Sequence, residues 1–149
     1  MTEEEQIRFV VADPHNIRLL ADPPESVQLI SVSTNGYTIQ YLVNPSEAVK
    51  KAAVKSRPAT LKYIENPSEA VKMVAVSKDG RSIYHIENPS EEVQIAAVQQ
   101  DIFCYRYIKN PSDAVKEKIV NIDWKAIKFI DSPSDKIKLM AFNQFLREA

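Results

Sequence analysis

Asn44-Pro45-Ser46-Glu47-Ala48-Val49-Lys50 returns as Asn66-Pro67-Ser68-Glu69-Ala70-Val71-Lys72, and the 22-residue interval between them decides the fold. The word recurs as NPSEEVQ from Asn88 and NPSDAVK from Asn110, and more weakly as DPPESVQ from Asp22 and SPSDKIK from Ser132. A period kept this strictly, without insertion, marks a repeat protein before any local structure is considered. Units start near residues 2, 22, 44, 66, 88 and 110, with a half unit over 132–149, and together they make one domain, residues 1–149. Positions are counted below from 1 to 22 within the unit, with Asn44 at position 1.

Position 1 holds only Asp, Asn or Ser, position 2 only Pro, and position 4 only Glu or Asp. Read as a helix start, these are an N-cap, a proline at the first helical residue and an acid that closes a capping box. Thr2 and Glu5 offer the same box in the first unit. Apolar residues follow at position 6 (Val27, Val49, Val71, Val93, Val115, Ile137) and at positions 9 and 10, one helical stripe. Position 11, Val in most units and Phe142 in the last, lies off that stripe, so the helix is covered on two sides or the chain bends there.

Position 14 supplies a second cap, Asp13, Asn35, Asp79, Asp101 and Asp123, with Arg57 the exception. Pro or Gly follows in four units, then apolar residues at positions 18 and 21, such as Ile39 and Leu42. That i, i+3 pair predicts a short second helix, α or partly 3₁₀. A strand is the rival reading, because Thr38–Val43 is β-prone and a strand-plus-helix unit of 22 residues would make a leucine-rich horseshoe. The recurring Pro or Gly after a cap, and the lack of any L-x-x-L-x-L-x-x-N run, favour the helix.

The composition belongs to an ordinary globular chain: 44% hydrophobic, 26% charged, 19 Lys+Arg against 20 Asp+Glu, net charge -1. This balance argues against a polybasic nucleic-acid or membrane-surface binder. A single cysteine, Cys104, rules out an internal disulfide. The opening MTEEEQIRF has no secretory pattern and no apolar run is long enough to span a bilayer, so the expected location is cytoplasmic.

The units NPSEEVQIAAVQQ and NPSEAVKMVAVSKDGRSIYHIE resemble the NPSEEVQ-type repeat, known as a domain of unknown function. They are similar in logic to the leucine-rich repeat variant, in which α and 3₁₀ helices alternate. The resemblance runs from Asp22 to about Phe142. It implies an all-α, right-handed solenoid of six to seven two-helix repeats, of the broader HEAT-like kind, with no activity, cofactor or catalytic residue to carry over. The first unit lacks the N-P-S-E word, and Glu117 and Lys118 replace apolar residues at positions 8 and 9, so both ends read as polar end caps.

No catalytic, cofactor or metal site is expected. His85 and Cys104 are close enough on the repeat lattice to be considered a nucleophile pair, but His85 stands where other units carry Tyr or Phe, and Cys104 where they carry Thr, Ser or Ala. Two surfaces remain. Lys50, Lys72, Lys116 and Lys138 at position 7 form a basic stripe suited to a phosphate backbone, set against ordinary Glu–Lys pairing with the position-4 acids. Arg81, Tyr84, Ile102, Phe103, Arg106 and Trp124 break the repeat pattern or stand beside the breaks, and carry the aromatic and guanidinium groups enriched in protein hot spots. The expected role is a non-enzymatic scaffold, adaptor or inhibitor that binds a protein or peptide, or a second copy of itself. Nucleic-acid binding is the alternative.

Overall fold

The computed structural model describes residues Met1 to Ala149, in which α-helices alternate with 3₁₀-helices and no strand occurs. The chain resolves into two compact units, Met1–Lys78 and Asp79–Ala149. The first holds α1 (Glu3–Ala12), η1 (Pro14–Leu19), α2 (Glu25–Thr34), η2 (Gly36–Tyr41), α3 (Glu47–Ser56), η3 (Pro58–Tyr63) and α4 (Glu69–Lys78). The second holds η4 (Gly80–His85), α5 (Glu91–Gln100), η5 (Ile102–Tyr107), α6 (Asp113–Ile122), η6 (Trp124–Phe129) and α7 (Asp135–Glu148). Within each, consecutive α-helices pack on one another, the all-α repeat architecture.

The α-helices begin two residues later than the sequence reading expects. Ser46, Ser90, Ser112 and Ser134, at position 3, are the N-caps, each accepting the backbone N–H three residues on at 3.2–3.4 Å. Position 1 is instead a left-handed residue, with φ between 45° and 52° at Asp22, Asn44, Asn66, Asn88, Asn110 and Ser132. Asn and Asp are the residues that tolerate this conformation best after glycine, and they are also good N-caps, so the two roles leave the same mark in the sequence. The position-4 acid is therefore the first helical residue. Thr2 and Glu5 do form the reciprocal capping box, at 3.3 and 2.8 Å.

The α-helices α2 to α6 are each buried on two sides. Positions 6, 10 and 11 are buried, as Val49, Ala53 and Val54 in α3 and Val93, Ala97 and Val98 in α5, whereas position 9 is half-buried. A fully buried valine contributes roughly 1.5–3 kcal/mol, so position 11 is as much core as position 6.

The second element is 3₁₀ in all six instances. Asp13, Asn35, Asp79, Asp101 and Asp123 each accept the N–H two residues on, at 2.9–3.2 Å, which starts the turn. Three residues per turn place positions 15, 18 and 21 on one inward face. Ile39, Leu61 and Ile83 fill position 18, and Ile64, Ile86, Ile108 and Ile130 fill position 21. Position 15 lies closest to the next α-helix. A Cβ on Gly36 would sit 2.5 Å from Ala53 O, and one on Gly80 would sit 2.4 Å from Ala97 O. Position 17 is buried and small; its hydroxyls turn back to the backbone, as Thr38 Oγ1 to Asn35 O at 2.9 Å and Thr60 Oγ1 to Arg57 O at 2.7 Å.

The two ends differ. The exposed residues of α1 include Glu5 and Arg8, so that end is polar. α7 instead exposes Leu139, Phe142, Phe145 and Leu146, which corrects the expectation of a polar C-terminal cap. Leu139 and Phe142, at positions 8 and 11, are open because α7 packs only on α6 and η6, and the helix continues for 14 residues because Phe145 stands at position 14 in place of an Asp or Asn cap.

Candidate functional site

In the second unit the packing of the 3₁₀ layer is interrupted. η4 packs on α5 and η6 packs on α7, but η5 rests on α5 and η4 and makes no comparable contact with α6 or η6. Position 15 of η5 is Ile102, where η2 and η4 carry glycine. Ile102 cannot make the 2.4 Å approach that glycine allows at Gly80, although η6, with Trp124 at the same position, still packs on α7. Proline at Pro14 and Pro58 keeps its atoms within a ring, and η1 and η3 still pack on α2 and α4.

The parting leaves a groove of about 830 Å³, lined by residues of η5, α6 and η6 with the loops that follow. Ile102, Phe103, Arg106 and Phe129 contribute to its lining, and Tyr105 and Asp131 also face it. Phe103 is 65% exposed, its ring offered to solvent. Arg106 Nε donates to the Phe103 backbone carbonyl at 3.1 Å, and its guanidinium lies over the Tyr107 ring at 6.0 Å. Burial first, and Asp131 second, push the Tyr105 phenol above its ordinary value, so its hydroxyl remains a donor at neutral pH.

The other position-16 and position-19 residues form a second cluster on η4 and η5. Arg81 lies 3.3 Å from Asp79 and 4.0 Å from Asp101. Tyr84, 70% exposed, meets the Tyr107 ring edge-on at 5.5 Å. Trp124 does not join either cluster. Its ring packs on Phe145 at 5.4 Å and its Nε1 donates to Glu148 at 2.8 Å, so it holds the long last turn of α7 against η6. The structure thus gathers Ile102, Phe103 and Arg106 around one groove, leaves Arg81 and Tyr84 beside it, and assigns Trp124 to packing.

A basic stripe at position 19 (Arg18, Lys62, Arg106, Lys128), with Tyr41, Tyr63 and Tyr107 nearby, is also legible in the sequence as a surface that could track a phosphate backbone. The rings at position 20, Tyr41, Tyr63, Tyr107 and Phe129, have the pattern of packing residues but are between 37% and 60% exposed. Cations from position 19 lie over three of them, Lys62 on Tyr63 at 4.9 Å, Arg106 on Tyr107 at 6.0 Å and Lys128 on Phe129 at 4.9 Å. Their recurrence was the available signal, because a surface ladder repeats as strictly as a core.

The position-7 lysines are not a free basic stripe. Lys72 pairs with Glu69 at 3.7 Å, Lys116 with Asp113 at 3.8 Å and Lys138 with Asp135 at 3.2 Å, each within its own helix. Lys50 is half-buried.

Cys104 is fully buried, and burial, followed by Asp101 and Asp79, pushes its thiol up to about 12. At neutral pH it is a protonated thiol, the unreactive form. His85 is exposed and its ring meets Tyr84 edge-on at 5.3 Å. No His, Cys, Asp or Glu residues assemble into a group of three fit to hold a metal ion, and no helix is long and apolar enough to cross a membrane. The chain matches no protein-family model, no curated protein and no solved structure.

Proposed function

We propose that this chain is a non-enzymatic binding scaffold, an adaptor or inhibitor that takes a segment of another protein into the groove of the second unit. The observation that carries the reading is the standing-off of η5, which opens about 830 Å³ beside Phe103 and Arg106. Aromatic and guanidinium side chains beside a groove of mixed apolar and charged lining, with Ile102, Ile108 and Ile119 next to Lys116, Asp123 and Asp131, are the groups from which protein hot spots are built. The alternation of α and 3₁₀ helices in 22-residue units supports the likeness in logic to the leucine-rich repeat variant.

The test is affinity capture from native extract with the intact chain and with a Phe103→Ala/Arg106→Ala variant as paired baits, followed by binding measurements on any protein retained by the first and lost from the second. Identical retention by both baits rejects the groove.

The cation–ring pairs at Tyr63, Tyr107 and Phe129 favour one second reading, a single-stranded nucleic acid whose bases stack and whose phosphates meet the cations. Binding to oligonucleotide that weakens steeply with added salt would select it over the protein-binding reading.

A further inference from the structure

In the first unit the ring at position 16 of one repeat meets the ring at position 20 of the next, edge-on. His15 pairs in this way with Tyr41 at 6.0 Å, and Tyr37 with Tyr63 at 6.2 Å. The second unit has one step with a ring at both positions, Phe103 and Phe129, and there the rings do not meet. Both line the groove instead, 65% and 60% exposed, and neither touches any other ring. Edge-on contact needs centroids within about 4.5–7 Å of each other, so this step of the ladder is one ring short.

The cations beside these rings are also unpaired. Arg81 lies by Asp79 and Asp101, Lys116 by Asp113, and Lys125 by Glu148. Arg106 and Lys128 have no carboxylate within ion-pair distance and rest over Tyr107 and Phe129. Arg106 commits only Nε, to the Phe103 carbonyl, which leaves its terminal N–H groups open.

We propose that the groove takes an extended acidic peptide segment with an aromatic anchor, its ring entering between Phe103 and Phe129 and its flanking carboxylates meeting Arg106 and Lys128. This rests on the groove reading above and adds the chemistry of the occupant. A ring placed there supplies the edge-on contacts that the repeat makes in the first unit. A guanidinium holds a carboxylate through two parallel hydrogen bonds. On the same lining Tyr105 offers a hydroxyl donor and Asp131 an acceptor to a peptide backbone. Asp123 and Asp131 oppose a nucleic acid, which brings a phosphate at every nucleotide, whereas a peptide carries charge only at chosen side chains.

Random peptides displayed on phage, depleted on a Phe103→Ala/Phe129→Ala chain and then panned on the intact chain, test this. The retained peptides are expected to share an aromatic residue flanked by Asp or Glu. Retained peptides that are basic, or that lack an aromatic residue, overturn this inference and leave the groove reading in place. If no peptide separates the two chains, the groove reading falls as well. A synthetic peptide with one Phe flanked by Asp in a Gly-Ser chain provides the affinity arm, read by fluorescence anisotropy. Phe129→Ala is expected to weaken it about 30-fold, and Arg106→Gln or Lys128→Gln about 2- to 5-fold each, with helix content unchanged. Equal affinity for the peptide with Lys in place of Asp overturns the acidic requirement, and tighter binding of oligothymidylate than of the peptide overturns the proposal in favour of single-stranded nucleic acid.

Discussion

Ser46 Oγ donates to Glu25 Oε1 at 3.0 Å, one repeat earlier, while the same oxygen accepts the Val49 N–H at 3.3 Å. A single hydroxyl thus caps its own helix and ties it to the preceding one, and Ser68 repeats the arrangement with Glu47 and Val71. Ser46→Ala should cost about 1–2 kcal/mol in urea unfolding, and Glu25→Gln less, because the cap survives in the second variant. Equal losses, or none, would show that the hydroxyl does not have both roles.

The left-handed residues at position 1 give a test that separates them from caps. Asn66→Ala should destabilise by about 1 kcal/mol, because alanine at φ 45° meets a steric penalty that asparagine largely escapes. Ser132, at φ 48°, is the least suited occupant, so Ser132→Gly should raise stability by about 0.5–1 kcal/mol. Thermal melts of the two variants, shifting in opposite directions, are the expected result.

Alkaline pH should act through Cys104. In the folded chain its thiol is held at about 12, above the ordinary 9.0, so between those values the unfolded chain releases a proton that the folded chain keeps. The associated stability is full below about pH 9 and is lost as pH rises toward 12, at a rate of up to about 1.4 kcal/mol for each pH step of one. Cys104→Thr, which places there the residue that Thr38 and Thr60 supply at the same position, should flatten the stability profile in that window. Denaturant titrations at alkaline pH, wild type against variant, give the comparison.

Binding should distinguish the groove from the helix flanks. Phe103→Ala combined with Arg106→Ala should lower affinity for a protein partner by about 2 kcal/mol or more, with little change in melting temperature, since Phe103 is largely exposed. Lys50→Ala with Lys72→Ala, on helix flanks of the first unit, should leave affinity unchanged. A reversed outcome moves the working surface to the lysines.

The repeat length, the helical class and the second cap were legible because stacking forces every buried position to recur. The α-helix start was misplaced by two residues because Asn-Pro-Ser-Glu contains two residues fit to cap, and nothing in the word itself shows that the asparagine turns left-handed while the serine caps. Trp124 has the look of an exposed anchor in the sequence because its partners, Phe145 and Glu148, lie in helical turns that the repeat pattern does not announce. Phe103 and Arg106 were legible as departures from the pattern. The groove beside them was not, because it arises from a contact that η5 fails to make, and an absent contact leaves no residue to read.

Gly80 and Ile102 occupy the same position one repeat apart, the first where the seam with the next helix is closed and the second on the lining of an open groove. Arrays of this kind lengthen by duplication, and each new copy inherits a closed seam along with its valines. A change of codon at position 15 then alters the seam of that copy without touching the valine core that its neighbours depend on. Site and scaffold in such a lineage are free to diverge at separate rates, and a search for relatives that share a ligand should compare position 15 and its surroundings before it compares the repeated word.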